Sequence, residues 1–175
     1  GVTEFFSARC NTCLTNLQRQ FMNYSISNND IHLVQPDFSL DETLDCGQAF
    51  RWVKISDNTY QGFSADKPLI ISEDNGEFIF HDTSEDVFLN YWCEYFDLNT
   101  DYSELKSKFS EDKTLKKACE FAPGIRLLKQ DKWEALCSFI ISQNNNIPRI
   151  KGIVERLCEN FGEKKAFGYT FPTVE

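Results

Sequence analysis

The sequence predicts an α+β fold: an antiparallel β-sheet domain with packed helices, followed by the start of an α-helical domain. Three observations carry this. Short extended runs separated by turn residues fill the first half, with Asn75-Gly76 as the strongest local turn signal. From Ser84 the apolar period changes from two to three and four. Two amphipathic helix patterns then meet at an asparagine-rich corner, Ser142-Gln143-Asn144-Asn145-Asn146-Ile147-Pro148-Arg149.

In chain order, residues 1–21 are read as a non-native leader or an upstream extension, with the natural start at Met22, the only methionine. Residues 22–110 form the sheet domain. Ile31–Val34 is a short strand, and Ser39-Leu40-Asp41-Glu42 is a capping box opening a brief helix that ends near Gly47. Phe50–Lys54 is extended, Ser56-Asp57-Asn58 turns, and Tyr60–Ala65 and Pro68–Ser72 are further strands. Asn and Gly both accept the positive φ of a type I′ turn, so Leu69-Ile70-Ile71 should pair with Phe78-Ile79-Phe80. Four or five strands result, and such a sheet needs a covering layer. Val87, Phe88, Tyr91, Trp92 and Phe96 share the helix face that would supply it.

Residues 111–175 begin the helical part, with the boundary between about 100 and 125. Tyr102, Leu105 and Phe109 mark one short helix; Leu115, Ala118, Cys119 and Phe121 mark another, stopped by Pro123-Gly124. Asp131 and Glu134 form a capping box ahead of Trp133, Leu136, Cys137, Ile140 and Ile141, which make one apolar face. Ile150, Ile153, Val154, Leu157 and Phe161 repeat the pattern between Pro148 and Gly162. No closing helix follows Phe171-Pro172, so these two faces are expected to lack partners, as in a truncated domain.

Composition narrows the class. With 41% hydrophobic residues and 16 Phe the chain should fold, and no apolar run is long enough to cross a bilayer. Seven scattered cysteines, an odd number, favour a reducing compartment over a disulfide framework. Cys10 and Cys13 are the only C-x-x-C pair. Without a second pair, and with His32 and His81 in strand-like surroundings, a zinc site falls short of four ligands. The net charge of −9 is unevenly placed: residues 22–112 hold 19 acids and 5 bases, residues 113–175 hold 7 acids and 11 bases. Any face that meets phosphate belongs to the second part.

Two readings of the corner stand side by side. Asparagines disfavour helix interiors because their amides bond nearby backbone, so all three could cap the two helix ends. Alternatively one amide and Arg149 project as a planar donor and acceptor set, the chemistry best suited to base edges.

The stretch FIISQNNNIPRIKGIVERLCENFG (Phe139–Gly162), with GIRLLKQD (Gly124–Asp131) before it and LDCGQAFRW (Leu44–Trp52) further back, resembles the 8-oxoguanine DNA glycosylase family. The resemblance runs from about Asp30 to Glu175 and covers the first half of the family's pattern. It implies that Asn144 fills the space vacated by a flipped base and that Asn144 and Arg149 bond the orphaned cytosine. It places a carbonyl that reads the lesion at Gly47, and supporting DNA contacts at Asn145, Asn146 and Ile147.

The function implied is the lesion-recognition part of a base excision repair glycosylase and AP lyase acting on 8-oxoguanine opposite cytosine. The partner is therefore double-stranded DNA. The protein would be monomeric and intracellular, in cytoplasm, nucleoid or nucleus, without cofactor or metal. No lysine follows a Leu-Pro-Gly-Val-Gly type hairpin, so residues 1–175 alone are expected neither to excise a base nor to cut the strand. The alternative is a non-catalytic DNA- or protein-binding module of the same architecture. A third reading, a zinc-binding regulator built on Cys10 and Cys13, is tested by metal analysis.

Overall fold

The computed structural model describes residues 22–174. The expectations for residues 1–21, including the Cys10 and Cys13 pair, lie outside the described residues.

Six antiparallel strands form one sheet: β1 (Tyr24–Ser27), β2 (Asp30–Val34), β3 (Trp52–Ser56), β4 (Thr59–Ser64), β5 (Lys67–Asp74) and β6 (Glu77–His81), in the order β1-β2-β6-β5-β4-β3. The β5–β6 hairpin forms as the sequence predicts. Asn75 and Gly76 have φ of 51° and 83°, and Ile71 faces Phe80. Strand β1 is the strand that the sequence reading did not count. Its residues are exposed or half-exposed, so no alternation betrays it, yet Asn28 and Asn29 turn at φ of 50° and 71° and pair it to β2.

One face of the sheet is sealed by a helical segment that starts at Ser84, whose side chain accepts from Val87 N–H. It comprises α2 (Glu85–Val87), a π-turn (Phe88–Trp92) and α3 (Cys93–Tyr95). The extra residue of the π-turn widens the buried stripe, so Phe88, Leu89, Trp92, Cys93, Tyr95 and Phe96 all reach the core. There they meet Ile31, Leu33, Ile71, Phe78 and Phe80 from the sheet.

Helix α1 (Leu40–Leu44) is capped by Ser39, which accepts from Glu42 N–H. The reciprocal half of the predicted capping box is absent, and the helix stops before Gly47. Instead Ser39 N–H donates to Gly124 O at 2.9 Å, and Glu42 Oε2 accepts from Gly124 N–H at 2.6 Å. Local capping is thus replaced by a tie to a segment far along the chain.

Helices α4 (Tyr102–Phe109) and α5 (Lys113–Phe121) bury no residue fully. Beyond them Arg126, 1% exposed, anchors the path back to the sheet domain. Its guanidinium donates to the carbonyls of Asp37, Asp97 and Pro36 and stacks 4.3 Å from the Tyr102 ring.

Helices α6 (Lys132–Ser142) and α7 (Ile147–Phe161) form the predicted pair, followed by the small hairpin of β7 (Lys164–Lys165) and β8 (Gly168–Tyr169). Helix α7 buries Ile150, Val154 and Cys158, while Phe161 at the end of its predicted face is exposed. Helix α6 leaves much of its apolar face open, as the sequence leads one to expect, and departs from expectation at Glu134. Its fully buried residues are Glu134 and Ser138, while Leu136 and Ile140 of the predicted apolar face are exposed, as is Phe139. Cys137 and Ile141 pack against α7. Glu134 does not close the expected capping box but turns inward to a buried arginine.

Candidate nucleic-acid interface

The corner between α6 and α7 divides its asparagines by task. Asn146 is the N-cap of α7, its Oδ1 accepting from Arg149 N–H at 3.0 Å, and Pro148 occupies the first turn. Asn145 donates through Nδ2 to Ile141 O at 2.7 Å, satisfying a carbonyl that the end of α6 leaves open. Both therefore do the capping expected of asparagine.

Asn144 does neither. It takes the left-handed conformation, φ 55°, that ends α6, and its side chain is exposed with no hydrogen bond to a described residue. The Arg149 side chain is likewise exposed and unpaired among the described residues. A free amide and a free guanidinium thus flank a rigid turn. Ile147, which follows the cap, is 43% exposed.

Gly47 lies in the loop after α1 at φ 86°, a conformation that favours glycine. Its carbonyl accepts no hydrogen bond from a described residue. A Cβ built on Gly47 would lie 3.4 Å from Ile147 Cδ1, so this loop and the start of α7 are in contact. Lys151, one turn into α7, reinforces the junction by donating to Asp45 Oδ1 and Trp52 O, both at 3.3 Å.

The third sequence block completes the assembly. Gln48 Nε2 donates to Thr43 O at 3.0 Å and Arg126 O at 2.7 Å, and its Oε1 accepts from Leu128 N–H at 3.0 Å. Gln130 Nε2 donates to Gln48 O at 2.5 Å. The loop of Gly47 and Gln48 is thus flanked by two segments remote in sequence, residues 126–130 and the start of α7.

Behind it, Arg51 and Glu134 form a buried ion pair at 3.3 Å, with side chains 7% and 9% exposed. Glu134 Oε2 also accepts from Ala65 N–H at 2.7 Å, while Arg51 donates to the carbonyls of Ala65 and Tyr169. The Arg51 guanidinium lies over the Phe63 ring. Burial pushes the Glu134 carboxyl up from its ordinary pKa, with Arg51 and the Ala65 N–H pulling against that rise. This pair orients α6 on the sheet domain.

A cavity of about 240 Å³ beside α7, lined by Phe50, Val53, Phe63, Lys151, Glu155 and Phe167 among others, includes none of Gly47, Asn144 or Arg149. The candidate site is an open surface, the shape that meets a macromolecule. Among the described residues no group of three or more His, Cys, Asp or Glu is placed to hold a metal ion, and no helix is long and apolar enough to cross a membrane. Of the described cysteines, Cys46, Cys93, Cys119, Cys137 and Cys158 are free thiols.

Sequence reasoning singled out Gly47, Asn144 and Arg149 but missed Gln48, Gln130, Arg51 and Glu134. Each of these works through partners distant in the chain, which a local pattern does not encode. The one available signal was Glu134 itself, a charge next to an apolar stripe.

The family model for the N-terminal domain of 8-oxoguanine DNA glycosylase matches residues 30–136. An N-glycosylase/DNA lyase of Saccharomyces cerevisiae is 31% identical over 143 residues, which is 72% of this chain and 37% of the yeast protein. Clostridium acetobutylicum 8-oxoguanine glycosylase/lyase bound to double-stranded DNA with cytosine opposite 8-oxoG superposes with a TM-score of 0.82 at 36% identity. That match covers 88% of this chain and 54% of the other. The apo form of the Clostridium protein gives 0.81 and 37%, covering 87% and 55%. The chain thus spans little more than a third of the yeast relative and about half of the solved structures.

Proposed function

Because the chain belongs to the 8-oxoguanine DNA glycosylase family, we propose that it supplies the lesion-reading and orphan-base-contacting part of a glycosylase and AP lyase. Its substrate is duplex DNA with 8-oxoguanine opposite cytosine, and it works as a monomer inside the cell, in cytoplasm, nucleoid or nucleus. A target base in a stacked duplex is reached by flipping it out, and the protein must fill the gap and hold the base left behind.

Asn144 and Arg149 do this. The guanidinium donates to the O2 and N3 acceptors of cytosine, and the amide carbonyl accepts from its N4 donors. Asn145, Asn146 and Ile147 support the DNA from the same turn. The free carbonyl of Gly47 reads the lesion, because oxidation at C8 turns N7 of guanine from an acceptor into a donor. An acceptor held there welcomes 8-oxoguanine and repels guanine.

The observation that carries this reading is that a Cβ on Gly47 would lie 3.4 Å from Ile147 Cδ1, so the Gly47 loop adjoins the turn that bears Asn144 and Arg149. The similarity to a Clostridium protein solved with 8-oxoG·C duplex supports it. Binding titrations of the intact protein test it, comparing 8-oxoguanine·cytosine with guanine·cytosine duplex. Arg149→Ala and Asn144→Gly should each weaken lesion-specific binding by about 1–3 kcal/mol. If neither does, the corner is structural. Residues 1–175 alone should bind without releasing a base or cutting the strand, and turnover by them in a gel assay sinks that part.

A further inference from the structure

We propose that Gln48 is the positioning residue that fixes the direction of the Gly47 carbonyl, and so sets discrimination between 8-oxoguanine and guanine. This rests on the reading of Gly47 given above.

A carbonyl can separate an N–H from a lone pair only if it cannot swing away from the wrong partner. The Gly47 carbonyl belongs to the peptide plane that ends at the Gln48 nitrogen, and glycine at φ 86° contributes little stiffness of its own. The restraint must therefore come from the far side of that plane. Gln48 provides it with its side chain and its main-chain oxygen. Its Nε2 donates twice, to Thr43 O and Arg126 O; its Oε1 accepts from Leu128 N–H; its main-chain oxygen accepts from Gln130.

The anchors are themselves held. Thr43 is 0% exposed, its hydroxyl donating to Gly124 O and accepting from Arg126 N–H. Arg126 is fixed by three main-chain carbonyls. The residue at the far end of the peptide plane that carries the lesion reader is thus tied to the main chain of buried Thr43 and Arg126. None of these bonds touches Asn144 or Arg149, so a change at Gln48 leaves the side chains proposed to meet the orphaned base with the partners they have.

Glutamate at position 48 has the same shape but cannot donate, and it would set a carboxylate against two carbonyl oxygens. The test uses the intact protein and three duplexes: 8-oxoguanine·cytosine, guanine·cytosine, and a tetrahydrofuran abasic analogue opposite cytosine. Gln48→Glu should reduce the affinity ratio of the first to the second about tenfold, while affinity for the abasic duplex stays at the wild-type level. Gln130→Met, which removes only the bond onto the Gln48 main-chain oxygen, should shift the same ratio in the same direction by less. It also carries the test if Gln48→Glu fails to fold.

Equal weakening on all three duplexes makes Gln48 a general structural residue and overturns the proposal. So does an unchanged ratio in both variants. A wild-type protein with no preference for the lesion duplex overturns the proposed function as well, which separates the two failures.

Discussion

The sheet domain and the helical corner solve opposite problems. Among the described residues, nineteen buried apolar ones make the core beneath the sheet, whereas the cluster around α7 has four, Ile150, Val154, Cys158 and Phe171. The first region is held by close packing, in which a change of volume is felt. The second leaves Leu136, Phe139 and Ile140 exposed and is located by polar ties: Arg51 to Glu134, Lys151 to Asp45, Gln48 to the segment after Gly124. The difference shows what each kind of bond is for. Packing fixes a domain, while directional bonds aim a surface that must stay open.

The comparison breaks most visibly in the core. Phe96 is 0% exposed and lies within 6.0 Å, ring to ring, of Phe38, Trp52, Phe80, Trp92 and Tyr95. Phe96→Ala should cost about 3–5 kcal/mol in urea unfolding. A loss below about 1 kcal/mol would mean that the aromatic cluster repacks.

Next is the polar tie between the two regions. Arg51→Ala strands the Glu134 carboxylate and should cost about 3 kcal/mol near neutral pH. Burial already raises the Glu134 pKa, and Arg51 opposes that rise. A carboxyl whose folded pKa exceeds its unfolded value favours the fold when protonated. That contribution is full below the unfolded value and is lost as pH rises through the folded one. Removing Arg51 moves the folded value higher still. The deficit of Arg51→Ala against wild type should therefore be larger at about pH 8 than at about pH 5. A deficit independent of pH would assign the loss to packing against Phe63 instead.

These two effects also mark how far the sequence could be read. The β5–β6 hairpin was legible because Asn75-Gly76 encodes its own turn, and the caps at Asp131 and Asn146 because a cap is a local bond. The inward turn of Glu134 was not, since its spacing from Asp131 suggested a capping box and an ion pair with Arg51, 83 residues away, imposed another answer. Strand β1 escaped because an edge strand with exposed side chains carries no alternation. At the site, residue types pointed to one amide of the corner and to Arg149, and the family resemblance added Asn144 and Gly47. The nearness of Gly47 to that corner rests on Ile147, a hundred positions away in sequence, which no local period records.

The smallest expected effect on stability is the most informative about the corner, because three adjacent asparagines should respond differently. Asn146→Ala deletes an N-cap bond at 3.0 Å and should lower stability by about 1 kcal/mol. Asn144 has no such bond to lose, but at φ 55° alanine would add backbone strain and mimic a structural role. Asn144→Gly removes the amide while leaving a residue at ease in that conformation, so thermal unfolding should stay within about 0.5 kcal/mol of wild type. The same variant should still lose lesion-specific affinity. Should Asn144→Gly instead unfold as early as Asn146→Ala, the amide at 144 is a third cap, and Arg149 is left as the sole candidate for the orphaned base.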